Sequence, residues 1–323
     1  MPALDMNLAS LQEYKGISPK PIDFDEYWDA AVQEMHAHGT TYTTQPAEFS
    51  APGIVCEYLY FTGTGGAKIC CKFLRPEIIA GKIPAIAMFH GYSGNSGGWL
   101  DKLAYAYAGF VVLVLDVRGQ MGNSEDNFST TGTTLRGHII RGLDCEESAN
   151  DLFFRNVFLD AAQVARVLMN MPFVDENRVG AMGASQGGAL AIACAALEPR
   201  VKMSAPIYPF LADYKRVWEM DLFRGAYDEL NYYIKNRDPR QQRMEEMFYK
   251  LGYIDIVNLA PRIMGEIYMF ITLMDDICPP STQFAAYNNI NAKKKCEIYP
   301  NHGHEGLPDA NELIFSWFGS LRV

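Results

Sequence analysis

The sequence has few histidines, no CxxC pair of cysteines and fewer basic than acidic residues, and these shortages argue against several classes of protein. Only six of its 323 residues are histidine, none of its seven cysteines lies in a CxxC pair, and Lys and Arg (28) are outnumbered by Asp and Glu (38). The net charge of −10 argues against binding to nucleic acid or to an anionic membrane surface. An odd number of cysteines, several of them in apolar runs, favours buried reduced thiols over a disulfide scaffold.

Targeting and membrane signals are also missing. The first residues, MPALDMNLASLQEY, contain neither the basic nor the apolar region of a secretory signal. No apolar run approaches the ~18 residues that cross a bilayer, and FVVLVLDV at 110–117 has only the length of a strand and contains an acid. We therefore expect a cytoplasmic protein with no membrane partner. A leader removed from the chain is the alternative.

Short apolar segments alternate with helical ones from residue 83 onward, in a chain that is 49% hydrophobic. The β-prone segments are 83–89, 110–117, 177–183, 202–208, 266–273 and 294–300, and helical patterns at 159–171 and 186–198 separate some of them. Continuous apolar strands that alternate with helices predict a mostly parallel α/β sheet covered on both faces. Upstream, the β-rich segments 53–62 and 67–74 predict an antiparallel hairpin at the edge of this sheet.

The segment 209–262 interrupts this alternation. It has no convincing strand pattern but several helix-like runs rich in aromatic residues. An insertion at this point would lie above the edge where parallel strands end, so we expect a helical cap within a single domain that spans 1–323. Nearer the N-terminus, Asp23 followed by Glu26 predicts a helix that begins with a capping box.

The pattern G-x-S-x-G occurs at 183–187, between a strand and a helix of small residues. This context predicts a nucleophile elbow, with Ser185 at a sharp turn and the N–H of Gln186 directed at an oxyanion. The alternative is a Gly-Ser turn that only joins strand to helix. The loop HGYSG at 90–94 follows an earlier strand, and the N–H of Tyr92 is the expected second donor, with His90 supporting the loop.

A serine nucleophile needs a base and an orienting acid, which in such proteins follow in the order serine, acid, histidine. Only His302 and His304 follow Ser185, both in the loop after the last strand. Asp275 and Asp276 follow the preceding strand, and either could instead cap the next helix. The two histidines could alternatively bind a metal, although their spacing matches no zinc signature.

Five motifs occur in order along the chain: HGYSG at 90–94, Arg118-Gly119-Gln120, GASQGG at 183–188, MDDICPPST at 274–282 and His304-Glu305. Together they resemble the carbohydrate esterase family that contains acetyl xylan esterases and cephalosporin C deacetylases. The resemblance implies an α/β-hydrolase fold, which agrees with the parallel sheet and the antiparallel edge predicted above. It also implies the site residues, which are the triad Ser185, Asp275 and His304 and the oxyanion-hole residues Tyr92 and Gln186.

The same resemblance implies deacetylation of small acetyl esters, including acetylated xylo-oligosaccharides and cephalosporin C, with no metal or organic cofactor. It further implies a hexamer whose active sites face an internal cavity. Two residues depart from the family: Asp276 stands where the family often has a neutral residue, and His302 adds a second histidine near the base. Arg118 and Gln120 are family markers that we interpret as structural. We expect Arg118 to pair with a nearby carboxylate.

The expected cap would bring aromatic residues to the entrance of the site. The residues that we expect to line the route to the nucleophile are Tyr208, Pro209, Phe210 and Trp218. Three other functions remain open from the sequence. One is a hydrolase of the same fold that acts on other short-chain esters, thioesters, peptides or lipids. Another is a non-catalytic binding protein, a class that usually lacks one member of the triad. The third is a metal-dependent deacetylase that uses His302 and His304.

Overall fold

The computed structural model describes residues 4–132, 136–144 and 148–322. The strands in these ranges are β1 Tyr42–Pro46, β2 Ile54–Thr62, β3 Lys68–Pro76, β4 Ile83–Phe89, β5 Val111–Leu115, β6 Val174–Ala184, β7 Met203–Ile207, β8 Glu266–Thr272 and β9 Lys294–Tyr299. They form one sheet in the order β1-β2-β3-β5-β4-β6-β7-β8-β9. β4 to β9 run parallel to one another, whereas β1, β2 and β3 pair in antiparallel fashion and β3 is antiparallel to β5. The predicted mostly parallel sheet with an antiparallel edge is confirmed.

Helices cover both faces of the sheet. Those in the described ranges are α1 Leu8–Glu13, α2 Phe24–Ala37, α3 Leu100–Tyr107, α4 Phe153–Met169, α5 Gln186–Leu197, α6 Tyr214–Glu219, α7 Asp228–Arg237, α8 Met244–Leu251, α9 Ile256–Leu259, α10 Pro280–Asn289 and α11 Ala310–Phe318. Alternate residues of β5 point to opposite layers, since Leu113 packs in the core with α4 and α5 and Val112 packs with α3 and α11. Burial on both faces explains why this strand is apolar throughout.

The chain between β7 and β8 is an insert that consists of helices and the turns between them. It leaves the sheet at Ile207, re-enters it at Glu266, and contains α6, α7, α8 and α9 with no strand among its residues, all of which are described. Because β7 and β8 are parallel neighbours, the insert begins at the edge of the sheet where the parallel strands end.

An N-terminal segment, residues 5–22, lies across this insert, and we call it the N-terminal strap. The carboxylate of Asp213 in the insert accepts three hydrogen bonds from the strap. The donors are the hydroxyl of Tyr14 at 2.7 Å and the main-chain N–H groups of Ile17 and Ser18 at 3.1 and 2.9 Å. The strap also contacts α10, one of the helices that cover the sheet, because the Asn288 side chain donates to the carbonyl oxygen of Tyr14 at 2.6 Å. It therefore joins the insert to the sheet-covering layer.

One local prediction is wrong. The helix α2 begins at Phe24 with Asp23 in the N-cap position, but the Asp23 side chain makes no capping hydrogen bond. Its carboxylate instead accepts a hydrogen bond from the hydroxyl of Tyr253 in the insert. A tertiary partner has displaced the local one, which the pattern of Asp23 and Glu26 could not reveal.

The state of the cysteines and the hydropathy of the helices agree with the predictions from the sequence. The six cysteines in the described ranges are free, and four of them are buried, while Cys145 lies outside those ranges. Of the helices in the described part of the chain, none combines the length and the apolar character that a bilayer crossing requires.

Candidate active site

The turn between β6 and α5 holds Ser185 in a strained backbone conformation. Its φ of 59° and ψ of −121° lie in a region that residues with a side chain rarely adopt, and such strain is typical of functional positions. The turn is also tightly packed. A methyl group on Gly187 would lie 2.2 Å from the carbonyl oxygen of Phe89 at the end of β4, and one on Gly183 would lie 2.5 Å from that of Gly187. Only hydrogen fits at these two positions, so the residues around the serine are those of a nucleophile elbow.

The imidazole of His304 lies between Ser185 and Asp275. Its Nε2 is 3.0 Å from the Ser185 hydroxyl oxygen, and its Nδ1 is 2.9 Å from the Asp275 carboxylate. Since a carboxylate only accepts hydrogen bonds, Nδ1 carries the proton and Nε2 is free to accept one from the serine. The structure therefore brings together the three side chains that the sequence predicts, in the order serine, histidine, acid.

Asp275 is fully buried and held from several sides. Its carboxylate accepts hydrogen bonds from the main-chain N–H groups of Ile277 at 2.9 Å and Cys278 at 2.7 Å and from the Thr272 hydroxyl at 3.3 Å. Asp276 is exposed, and its nearest cation is Arg224 at 3.8 Å. Of the two candidate acids, only Asp275 contacts the imidazole.

The alternative that one of these acids caps the following helix is wrong. α10 begins at Pro280 with Pro279 in the N-cap position, and the free N–H of its first turn, that of Ser281, donates to the carboxylate of Asp5 at 2.8 Å. The hydrogen bonds of Asp275 instead stabilise the turn that leads into the helix. This arrangement leaves its second oxygen facing His304.

The sequence predicts two main-chain N–H groups, those of Gln186 and Tyr92, as the donors of an oxyanion hole. Gln186 is the first residue of α5, and the first N–H groups of a helix have no acceptor within it. Tyr92 lies in the loop that follows β4, the strand next to the elbow strand β6. The buried side chain of Gln186 connects these regions, because it exchanges hydrogen bonds with Gln120 at 2.7 and 3.1 Å and donates to the carbonyl oxygen of Gly91 at 3.4 Å. Gln120, interpreted from the sequence as structural, therefore contacts Gln186, one of the two predicted oxyanion donors.

His90 and Arg118 support this framework, as predicted. His90 Nε2 accepts from the N–H of Val117 at 3.0 Å, so its Nδ1 donates to the Gly91 carbonyl at 2.8 Å, and burial lowers the pKa of the imidazole. A neutral histidine with both nitrogens in use is not available as a base. Arg118 forms a buried bidentate pair with Asp160 at 2.6 and 2.8 Å, which confirms its expected carboxylate partner.

Comparison with known proteins gives a family for this geometry. Residues 1–321 match the model of the acetyl xylan esterase family, AXE1. The chain belongs to the acetyl xylan esterase family. Its members are carboxylic ester hydrolases, so the prediction of an esterase is confirmed over the alternative of a non-catalytic binding protein.

Two solved structures agree along the whole chain. Acetyl xylan esterase 1 from Thermoanaerobacterium sp. JW/SL YS485 is 52% identical with a TM-score of 0.96, and 99% of this chain and 100% of that one are covered. An acetyl xylan esterase from Paenibacillus sp. R4 is 32% identical with a TM-score of 0.92, at 98% and 99% coverage. The curated acetyl esterase Axe7A of Xylanibacter ruminicola is 26% identical over 97% of this chain and 73% of its own length. The α/β-hydrolase fold is thereby confirmed.

Three of the four predicted pocket residues of this esterase lie beside the triad. The Tyr208 ring is centred 4.8 Å from that of His304, and the N–H of Phe210 donates to the carbonyl oxygen of Ser185 at 3.0 Å. Pro209 is buried against the elbow, since a methyl group on Gly188 would lie 3.1 Å from its Cα.

The fourth predicted pocket residue, Trp218, lies further along the insert, in α6. Its ring packs against that of Phe248 with centroids 5.9 Å apart. Within the described part of the chain, no hydrogen bond or ring contact joins it to the triad. Helical periodicity gave no indication of which aromatic residues of the insert face the site, because that depends on how the short helices pack.

The esterase site contains a thiol that the sequence reading did not single out. The buried Cys278 lies beside the triad, and its sulfur, an oxygen of Asp275 and a nitrogen of His304 all lie within 4.8 Å of one another. Burial raises the pKa of this thiol well above its ordinary value, which keeps it uncharged and a poor nucleophile. His302 packs its ring against that of Tyr299, with centroids 5.5 Å apart, and it is not a member of the group formed by Asp275, Cys278 and His304.

Proposed function

We propose that this protein removes acetyl groups from small acetylated substrates, among them acetylated xylo-oligosaccharides, through a triad of Ser185, His304 and Asp275. One observation carries the proposal: the His304 imidazole bridges the serine hydroxyl at 3.0 Å and a buried carboxylate at 2.9 Å. The substrate class is supported by the relatives, which bear the names acetyl xylan esterase and acetyl esterase.

In the first half-reaction, the Ser185 oxygen attacks the acetyl carbonyl carbon as His304 Nε2 takes its proton. Asp275 keeps the proton on Nδ1 and stabilises the imidazolium that forms. The negative charge that develops on the carbonyl oxygen is stabilised by the N–H groups of Gln186 and Tyr92. His304 then returns the proton to the departing sugar oxygen, which leaves acetyl-Ser185 and a free alcohol.

In the second half-reaction, His304 takes a proton from water, and the resulting attack on acetyl-Ser185 releases acetate and restores the serine hydroxyl. The groups that act are the same as in the first half-reaction. The Tyr208 ring lies beside His304, and Pro209 and Phe210 are buried next to the elbow, which supports a short acyl pocket and a preference for acetyl over longer chains.

The insert 209–262 is the proposed cap over this site. It begins directly at Pro209, beside the elbow, and its α7 reaches the loop that contains Tyr92. A cap of this kind favours short substrates over polymeric xylan. Deacetylation of cephalosporin C belongs to the same proposal, since it is also a small acetyl ester. The hexamer and the cytoplasmic location stay predictions.

The test is a substrate panel combined with a mass measurement on Ser185. Mixing the protein with a chromogenic acetate ester should give a rapid burst and an added acetyl group on Ser185. Ser185→Ala and His304→Ala should each lose roughly 10⁴-fold or more in kcat with KM largely kept, because triad members act as a unit.

The panel should contain acetyl, propionyl and butyryl esters, acetylated xylo-oligosaccharides, acetylated polymeric xylan and cephalosporin C. We expect the acetyl esters of small molecules to be hydrolysed fastest. Equal rates on butyryl esters or thioesters would instead favour a broader short-chain hydrolase, and polymer cleaved as fast as oligomer would exclude the cap. A Ser185→Ala variant that keeps a tenth of the wild-type kcat would refute the triad.

A further inference from the structure

Glu229 is a buried acid of the insert that the triad does not use. It lies in the first turn of α7 and is only 4% exposed. One of its carboxylate oxygens accepts a hydrogen bond from the Tyr92 hydroxyl, and the other accepts one from the N–H of Ile140 at 3.0 Å. The segment around residue 137 passes close against it, since a methyl group on Gly137 would lie 2.3 Å from the carboxyl carbon. The acid therefore has fixed partners on both oxygens.

The Tyr92 side chain is held both at its hydroxyl group and at its ring. Its hydroxyl accepts a hydrogen bond from the N–H of His138 at 3.0 Å and donates its own proton to Glu229. Its ring packs edge-on against those of His138 and Phe210, with centroids 5.2 and 5.6 Å away. The direction of donation is thus set by the main chain: the N–H of His138 donates to the hydroxyl, and the hydroxyl donates to the carboxylate.

We propose that Glu229 is a positioning residue of the oxyanion hole, which holds the loop of Tyr92 so that its main-chain N–H points at the developing oxyanion. The proposal rests on the triad and oxyanion hole proposed above. The insert then has a second role besides covering the site, because its helix α7 supplies the carboxylate that holds the loop after β4, in which Tyr92 lies.

The burial of this acid supports the proposal. Burial raises the pKa of Glu229 to about 7, while the hydrogen bonds from Tyr92 and from the main chain of 138–140 favour its charged form. An ionised carboxylate in such a place is unfavourable unless donors surround it. Each donor here comes from the oxyanion-hole residue Tyr92 or from the loop beside it, so the contacts that stabilise the charge also fix the donor loop.

The test compares Glu229→Gln with Asp228→Asn in the same helix. A glutamine has nearly the shape of glutamate but offers an N–H₂ group to either Tyr92 or Ile140, both of which are donors, so one hydrogen bond is lost. Asp228 is the matched control, because its side chain is 50% exposed and its cation, Arg136, is 3.4 Å away. Assays at about pH 8.5 keep Glu229 ionised in the wild type.

With a chromogenic acetate ester, Glu229→Gln should lower kcat by roughly 10- to 100-fold with KM changed less than about threefold, since the donor is displaced rather than removed. Tyr92→Phe, which deletes only the hydroxyl, should show the same split. The double variant should lose no more than the worse single one, because the two groups act as a unit. Asp228→Asn should match the wild type.

The wild-type burst of acetyl-Ser185 separates the two proposals. If the wild type forms no acetyl-Ser185, the proposed function itself fails. If it does, and folded Glu229→Gln is acetylated at the wild-type rate or shows only a raised KM, the positioning role of Glu229 is overturned. Should Glu229→Gln not fold, Tyr92→Phe decides alone: an unchanged kcat in that folded variant overturns the proposal.

Discussion

At the scale of single residues, the two neighbouring acids Asp275 and Asp276 differ in burial, in hydrogen bonding and in contact with the histidine. Asp275 is buried, accepts hydrogen bonds from Thr272, Ile277 and Cys278, and contacts His304. Asp276 points to solvent and lies 3.8 Å from an exposed Arg224. Exposed pairs of this kind contribute little, because water screens the charges and both side chains are flexible.

We therefore expect Asp275→Asn to lower kcat by roughly 10³- to 10⁴-fold, because the amide favours the wrong imidazole tautomer. Asp276→Asn should stay within about threefold of the wild type, since it removes only a weak exposed pair. Steady-state kinetics on one chromogenic acetate ester, with both variants checked for folding, measures the difference. The reverse ranking would move the role of the acid to Asp276.

At the scale of elements, the elbow between β6 and α5 has no room for change. We expect Gly187→Ala to lower the free energy of unfolding by about 2 kcal/mol or more, because the new methyl group overlaps the Phe89 carbonyl oxygen and the backbone must move. The same shift should reduce kcat by about 100-fold, since it moves the nucleophile. Denaturant unfolding and kinetics on acetate esters measure the two effects.

Gly319, at the end of α11, provides the matched control. A methyl group there meets no atom within 4 Å, and its φ of −51° is helical. Gly319→Ala should leave stability unchanged or raise it slightly, since alanine is less flexible than glycine in helical conformation. If both variants had the same stability as the wild type, the tight packing described at the elbow would be refuted.

The elements near the site were predictable from the sequence to the extent that their signals were local. Apolar runs marked β4 and β5, and the small residues after Ser185 marked the elbow. The strand β1, which reads YTTQP and is mostly exposed, has no such pattern and was missed. Glu229 was missed for a different reason: its partner Tyr92 lies 137 positions away in the chain, and a lone glutamate in a polar helix resembles a solvated surface residue.

At the scale of the whole molecule, the insert and the strap share a buried pair of acids. Asp255 at the start of α9 accepts hydrogen bonds from the N–H groups of Asp213 at 3.1 Å and Val257 at 2.9 Å. Asp213 in turn accepts the hydrogen bonds of the strap. Burial, together with the nearby charge of Asp213, raises the pKa of Asp255 to about 7.

This pKa makes the stability depend on pH. The unfolded chain has an aspartate pKa of about 4, so between about pH 4 and 7 the folded state binds a proton that the unfolded state lacks. The corresponding stability is present at low pH and is lost as the pH rises through about 7. Asp255→Asn keeps the accepting oxygen but has no charge to gain.

We expect the free energy of unfolding of the wild type, relative to Asp255→Asn, to fall by about 2 to 3 kcal/mol between about pH 5 and 8. Denaturant unfolding of both proteins at several pH values measures this difference, and the other titrating groups common to the two proteins largely cancel in it. A difference that stays constant across this range would show that Asp255 does not titrate there.

The strap has a consequence for how the molecule opens. The main-chain N–H groups of Ile17 and Ser18 in the strap donate to the Asp213 carboxylate, and the N–H of Asp213 donates to the Asp255 carboxylate. Local unfolding of the insert must therefore break these hydrogen bonds together. In native-state hydrogen exchange, the amides of Ile17 and Ser18 should therefore show the same opening free energy as that of Val257, as members of one cooperative unit. Fast exchange at Ile17 and Ser18 beside a protected Val257 would mean that the strap frays as an ordinary chain end does.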